Sequence, residues 1–379
     1  MNNKKKILII SASDLKNDPR VYRQIEFLKD NFNVTTLGLE DSEIENVRFY
    51  KLGFNKTFFS RLIILFVRIF RLYGFLENYW LKNKVIIKDN SILNGKFDLI
   101  IANEIETVPL AFKCFNKTKI ILDLHEYAPR EFEDKLSWKI LHQKYVVHQC
   151  KKYLKSCDAL TTVCTGIADE YKKTFDVNSE VITNAAKYYD LKPSNVNANI
   201  KIIHHGAAIS SRKIEMMIEV INHLDKRFTL DLMLTLVQKK YYDKLVNLVK
   251  GNERINIIPP VDMKDIVEKI NKYDIGLFLL PPVNFNYEYA LPNKFFEFIQ
   301  ARLAIAIGPS PEMNGIVKKY DLGIVSKNFE AVEMAETLNS LTSEKIYYYK
   351  MQADKSSHIL SQEENKKKLR EVVFNLIGN

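Results

Sequence analysis

A chain of 379 residues, 46% hydrophobic and 27% charged, is long enough for two domains with separate cores, and its composition excludes general disorder. No apolar run reaches the length of a membrane span, and residues 7–10 are too short an apolar core for a secretory signal, so the cytoplasm is the expected location. A net charge of +10 calls for anionic partners; without zinc-finger spacing or an RNA-recognition signature, nucleic acid yields to acidic lipid and phosphorylated small molecules. Cys114, Cys150, Cys157 and Cys164 show no metal-ligand spacing and are expected as reduced thiols, and no metal or other cofactor is expected.

In chain order, short apolar runs predict strands at 7–10, 34–37, 99–102, 120–122, 159–163 and 180–183, with helical patterns between them. A polar stretch over 187–199, containing Pro193, interrupts the series. Strands are then predicted at 202–205, 230–234, 255–258, 275–280, 304–307 and 323–325. Such runs argue for parallel sheets covered on both faces. The chain is therefore α/β, with two Rossmann-like domains facing each other across a cleft. The expected division is 1–186, 187–355 and a terminal helical segment, 356–379, whose Leu369, Val372, Val373, Leu376 and Ile377 share one face.

The loop beyond the first strand carries Asp14, then Asn17-Asp18-Pro19-Arg20, with Asp18 suited to cap a helix and Pro19 to its first position. Arg20 is either a phosphate grip for an acceptor or a surface arginine on a well-capped helix. Residues 58–81 form a dense apolar helix pattern with Arg61, Arg68 and Arg71 in a stripe, flanked by Lys51, Lys56, Lys82 and Lys84. That pattern suits a helix lying on an acidic membrane surface; a helix packed on the first sheet is the plain alternative. Asp123-Leu124-His125-Glu126-Tyr127 leaves a strand at its carboxyl end, where His125 can move a proton or bind a sugar hydroxyl, or simply serve the fold.

The second half opens with a strand, then Gly206 for a tight turn and Arg212-Lys213 entering a helix. Arg212 suits bidentate phosphate contact, and Lys213 is the more exposed of the two. His204 and His205 are either core or rim, and are not read as metal ligands. Most informative is Leu291-Pro292-Asn293-Lys294-Phe295-Phe296-Glu297, between two buried strands. A helix starting there offers unpaired N–H groups and partial positive charge to a phosphate. Lys294 adds a full charge, and Glu297, one turn on, can accept from a ribose. No Walker sequence, nucleophile elbow or aspartate pair spaced by one residue is present, so protein cations rather than a divalent ion must meet the phosphate charge.

Taken in order, Asn17 to Ile25, Asp123 to Glu126, Val181 to Asn184, Arg212 before Ile214-Glu215, and Leu291 to Glu297 followed by Ala301-Arg302-Leu303-Ala304 resemble the GT-B glycosyltransferases. Within them the chain resembles the family 4-like enzymes of bacterial polysaccharide assembly, over nearly its whole length. The resemblance implies a C-terminal domain that binds a nucleotide diphosphate-sugar and an N-terminal domain that holds a saccharide or lipid-linked acceptor. It implies that Arg212 and Lys294 neutralise the diphosphate, that Glu297 binds the ribose, and that His125 stands beside the transferred sugar. Gly206, Leu291 and Asn293 complete the donor set, and the last helix crosses back to the first domain.

Two departures stand out. The family often carries two glutamates separated by seven intervening residues in its donor motif, but here Tyr289 takes the first place and Glu288 is the nearest carboxylate. Ser11-Ala12-Ser13-Asp14 replaces a glycine-rich acceptor loop, leaving Asp14 and Arg20 as acceptor candidates. Retaining transfer needs no strong general base; for inversion, Glu126 or Asp14 would serve. The expected setting is cytoplasmic, peripheral at the inner face of the cytoplasmic membrane. A nucleotide-sugar epimerase of the same architecture and a silent sugar-nucleotide-binding subunit are the alternatives.

Overall fold

The computed structural model describes residues 4–55, 67, 70–115 and 117–378. The chain divides into two compact units: Met1–Thr183 with Asn284–Asn286 and Lys366–Asn379, and Asn184–Val283 with Tyr287–Asn365. Each is built on its own sheet.

The first sheet contains β1 (Lys6–Ile10), β2 (Asn33–Gly38), β3 (Arg48–Phe54), β4 (Val85–Ile87), β5 (Leu99–Asn103), β6 (Lys119–Leu124), β7 (Ala159–Thr162) and β8 (Glu180–Val181). Their order is β4-β3-β2-β1-β5-β6-β7-β8, parallel except for the β3–β4 pair. Ile7 to Ile10 are fully buried, as a central strand covered on both faces requires. Its core joins Ile7, Ile9, Val21, Ile25, Leu99 and Ile101 to Leu369 and Val373 of the last helix, Gln362–Ile377. Phe374 adds a tilted ring contact with Phe32 at 5.5 Å.

The second sheet contains β9 (Ile200–Ala207), β10 (Phe228–Thr235), β11 (Ile255–Ile258), β12 (Ile275–Phe278), β13 (Ala304–Ile307) and β14 (Gly323–Val325). Its order, β11-β10-β9-β12-β13-β14, is the doubly wound one, and every pairing is parallel. The order reverses between β9 and β12, so the carboxyl ends of these two strands form the crevice where ligands bind such sheets. The polar stretch ahead of β9 is tied down within this unit. Fully buried Lys350 donates from Nζ to Ser194 Oγ and Tyr273 O, both at 2.7 Å.

Every strand expected from the sequence is present, and β3 and β4 are additional. Of the expected helix over 58–81, residues 58–66, 68 and 69 lie outside the described residues, including Arg61 and Arg68. The described part is the helix Tyr73–Asn83, which buries Leu76 and Glu77 and leaves Phe75 57% exposed. Among the described residues, no helix is long and apolar enough to cross a membrane.

Candidate functional site

In the second unit, β9 carries His204, His205 and Gly206 near its carboxyl end, and the Gly206 φ of 133° belongs to the region open to glycine. A Cβ at Gly206 would lie 3.0 Å from Lys294 Nζ and 3.4 Å from Arg212 NH1, so the missing side chain is what lets both cations approach the strand end. Arg212 closes the short turn Ser210–Arg212; Lys213 follows with φ 51° and is exposed. Ser211 Oγ and Tyr287 OH are 2.8 Å apart, linking this turn to the loop ahead of the lysine.

Lys294 sits in the first turn of the helix Asn293–Gln300, which follows Pro292 and has no side-chain cap. Leu291 is buried, and its carbonyl accepts from Asn184 Nδ2 at 3.2 Å, seating the loop. The Lys294 ammonium lies 4.4 Å from the centroid of the Phe278 ring and 3.5 Å from His204 Nε2. His204 Nδ1–H donates to Leu277 O at 3.0 Å, leaving Nε2 a lone pair for the lysine. Burial and then Arg212 pull the Lys294 pKa well below its usual value; Glu297 opposes them.

His205 is held near 3 by burial, Lys294 and Arg212. It is therefore neutral, and its 3.3 Å approach to Glu297 Oε2 is not an ion pair; the two are also not aligned for a hydrogen bond. Two crowded cations with little compensation form a seat for a multiply charged anion. Glu288, expected as a donor contact, is instead exposed. Among the described residues nothing ties its carboxylate to this cluster; its carbonyl accepts from Ser310 Oγ at 2.9 Å.

The first unit gathers a second set at the carboxyl ends of β5 and β6. Arg20, expected to reach an acceptor phosphate, is turned inward: its Nε and NH2 donate to Asp123 at 2.6 Å each, and NH1 donates to Ile182 O at 2.7 Å. Its partner lies a hundred residues on, beyond the reach of local sequence patterns. Asp123 also accepts from Gln24 and Thr161. Burial alone would raise this carboxyl, but Arg20 and His125 hold it far below the usual carboxylate range. Asp14 is likewise occupied locally, accepting from Lys16 N–H at 3.2 Å and Asn17 Nδ2 at 2.8 Å.

His125 stands over this pair. Asn103 Nδ2 donates to Ile10 O, so Asn103 presents its oxygen to His125 Nε2 at 3.1 Å, with Asp123 Oδ2 at 3.2 Å. Nε2 thus carries the proton, and Nδ1 faces Glu104 Oε1 at 3.5 Å. Glu104 holds a left-handed φ of 65°, an uncommon conformation for glutamate, and accepts the His125 backbone N–H at 3.2 Å. Burial and then Glu106, Glu131, Glu126 and Asp123 push its pKa well up. His125 is therefore set between one carboxyl whose pKa is held far down and one whose pKa is pushed well up. Glu126 Oε2 accepts from Asn286 Nδ2 at 3.3 Å, which anchors residues 284–286 in this unit.

Asn103 and Glu104 were not singled out from the sequence, although Asn103 ends the buried strand β5 and Glu104 follows it just as His125 follows β6. Asp123 was quoted without being given a task.

No family model matches the chain, and no curated protein sequence matches it. Its backbone is nevertheless similar to solved structures. Sucrose-phosphate synthase from Thermosynechococcus elongatus superposes with a TM-score of 0.72 at 11% identity, covering 98% of this chain and 99% of that one. Anabaena HepE in complex with UDP-glucose gives 0.71 at 12% identity, with coverage of 98% and 99%. WaaG, a glycosyltransferase involved in lipopolysaccharide biosynthesis, gives 0.64 at 10% identity, with coverage of 97% and 99%. The chain has the GT-B fold, with its two Rossmann-like α/β domains.

Proposed function

We propose that the chain is a glycosyltransferase that moves a sugar from a nucleotide diphosphate-sugar to a saccharide or lipid-linked acceptor in cell-surface polysaccharide assembly. The observation that carries this is the convergence of Arg212 and Lys294 on Gly206 at the switch point of the second sheet. A diphosphate seated there offsets the burial and the Arg212 repulsion that depress the lysine. Departure of the nucleotide builds negative charge on the outer phosphate, and losing one cationic contact to it would cost about 2–4 kcal/mol of transition-state stabilisation. Glu297, in the same helix, is assigned to the ribose, and Asn293 to the phosphate end. The likeness to HepE, itself solved with UDP-glucose, supports this donor class.

The acceptor is assigned to the first unit, with His125 contacting the transferred sugar and Glu126 the acceptor. Transfer is proposed to retain configuration, the leaving phosphate taking the acceptor proton. Protein cations meet the phosphate charge, so chelation of divalent ions should leave the rate unchanged. Phe70, Leu72 and Phe75, exposed by 59%, 51% and 57%, support docking on the inner face of the cytoplasmic membrane.

The test is incubation of the purified protein with UDP- and GDP-sugars, with and without a membrane lipid extract. Acceptor-dependent nucleotide release is expected. Conversion to a new nucleotide sugar would assign an epimerase instead, and tight binding without turnover a silent subunit. Absence of calorimetric heat with every nucleotide would remove the donor site altogether.

A further inference from the structure

A cavity of about 190 Å³ lies within the first unit, beside the turn Ile105–Thr107 that follows β5. Leu76 and Trp80 of the helix Tyr73–Asn83 and Tyr145 and Val146 of the helix Gln143–Tyr153 give it apolar and aromatic walls. Glu106, Glu131 and Gln149 give it polar ones. Gln149 is only 4% exposed, yet among the described residues its side-chain amide has no hydrogen-bond partner. Among the same residues, neither Glu106 nor Glu131 forms an ion pair. A buried amide without a partner inside a walled cavity is the mark of a site that a ligand completes.

We infer that this cavity binds a compact acceptor residue carrying a protonated amine, the ammonium group sitting between Glu106 and Glu131 and against the Trp80 and Tyr145 rings. The inference rests on the acceptor assignment above and gives that acceptor its charge.

A neutral sugar could satisfy Gln149 through its hydroxyls but would bring no countercharge to the two carboxyl groups. Beyond burial, Glu106, Glu131 and Glu126 raise the pKa of Glu104, so the carboxyl groups of this region disfavour one another's ionisation. Burial, then Glu126 and Glu106, push Glu131 up to about 8, with Lys135 pulling the other way. A cation relieves all four carboxyls, and Trp and Tyr faces add cation–π attraction. The volume is below the usual range of drug-sized pockets, which fits one ring rather than a chain.

The experiment compares methyl glucosaminide, methyl N-acetylglucosaminide and methyl glucoside for binding to the full chain by saturation-transfer NMR and calorimetry. UDP affinity is measured on the same samples. The amine is expected to bind about tenfold or more tighter than its acetylated and neutral counterparts. That preference should vanish in Glu131→Gln and shrink in Glu106→Gln, with melting temperature and UDP affinity unchanged. Equal affinity for the three probes, no binding of the amine, or a preference that survives both substitutions would overturn the inference. Amine selectivity without UDP binding would instead sink the donor assignment and leave the cation site standing.

Discussion

Lys294 is the residue on which the donor assignment turns, and its environment gives the assignment a sign. In the free protein burial and then Arg212 depress its pKa, and Glu297 opposes them. A bound diphosphate adds negative charge beside the ammonium and moves the pKa back towards its usual value. Binding must therefore take up protons between the depressed and the restored pKa, and affinity must fall as pH rises through that window. Calorimetry with UDP at about pH 8.5, where the phosphates are already ionised, should show proton uptake when buffers of different ionisation enthalpy are compared. His204 and His205 stay neutral there, being depressed too, so Lys294→Gln should abolish the uptake as well as weaken binding. Proton release in the native chain, or unchanged uptake in the variant, would take Lys294 out of the site. Arg212 and Lys294, which converge on Gly206, were legible because they sit within one turn and one short motif. Arg20 and Glu104 were not, because their roles come from partners brought together by the sheet. Asp123 meets Arg20 across 103 positions of sequence, and no periodicity encodes that pairing.

At the level of elements, strands buried on both faces announced themselves as continuous apolar runs, which is why β1, β5, β9 and β12 were readable. The strand β3 escaped because only Leu52 of its seven residues is fully buried, and Arg48, Tyr50 and Lys51 break any alternation. With three residues and one antiparallel partner, β4 is too short to carry a pattern at all. The last helix was legible from its single apolar face, and that face has a measurable consequence. Leu369 and Val373, 2% and 0% exposed, lie in the core of the first unit. Lys368 and Arg370 donate from the same helix to Val181 O at 3.1 Å and Phe27 O at 3.0 Å. Leu369→Ala should therefore destabilise the first unit by about 2–5 kcal/mol in denaturant unfolding, the usual cost of emptying a packed leucine site. A change below about 0.5 kcal/mol, the scale of surface substitutions, would mean that the helix is not docked there.

Across the whole molecule, charge is sorted by task. Arg212 and Lys294 gather basic groups in the second unit's site, while Glu104, Glu106, Glu126 and Glu131 gather carboxyl groups in the first unit's site. The formal excess of +10, from 56 basic and 46 acidic residues, is therefore not consumed by the two sites and is carried elsewhere on the surface. Near the exposed Phe70, Leu72 and Phe75 stand Arg71 and Lys82, a pairing of apolar side chains with cations that suits an acidic bilayer. Each basic residue near such a surface contributes about 1 kcal/mol, an attraction that salt screens within a distance of about 8–10 Å. Sedimentation with vesicles containing acidic lipid should thus show binding that weakens as salt is raised and is weaker still on neutral vesicles. Replacing Phe70 and Phe75 by serine should remove the part that salt does not, leaving nucleotide affinity intact because both residues belong to the other unit from Lys294. If the folded double variant binds vesicles as well as the native chain does, and salt has no effect on either, the protein meets its acceptor without the membrane surface.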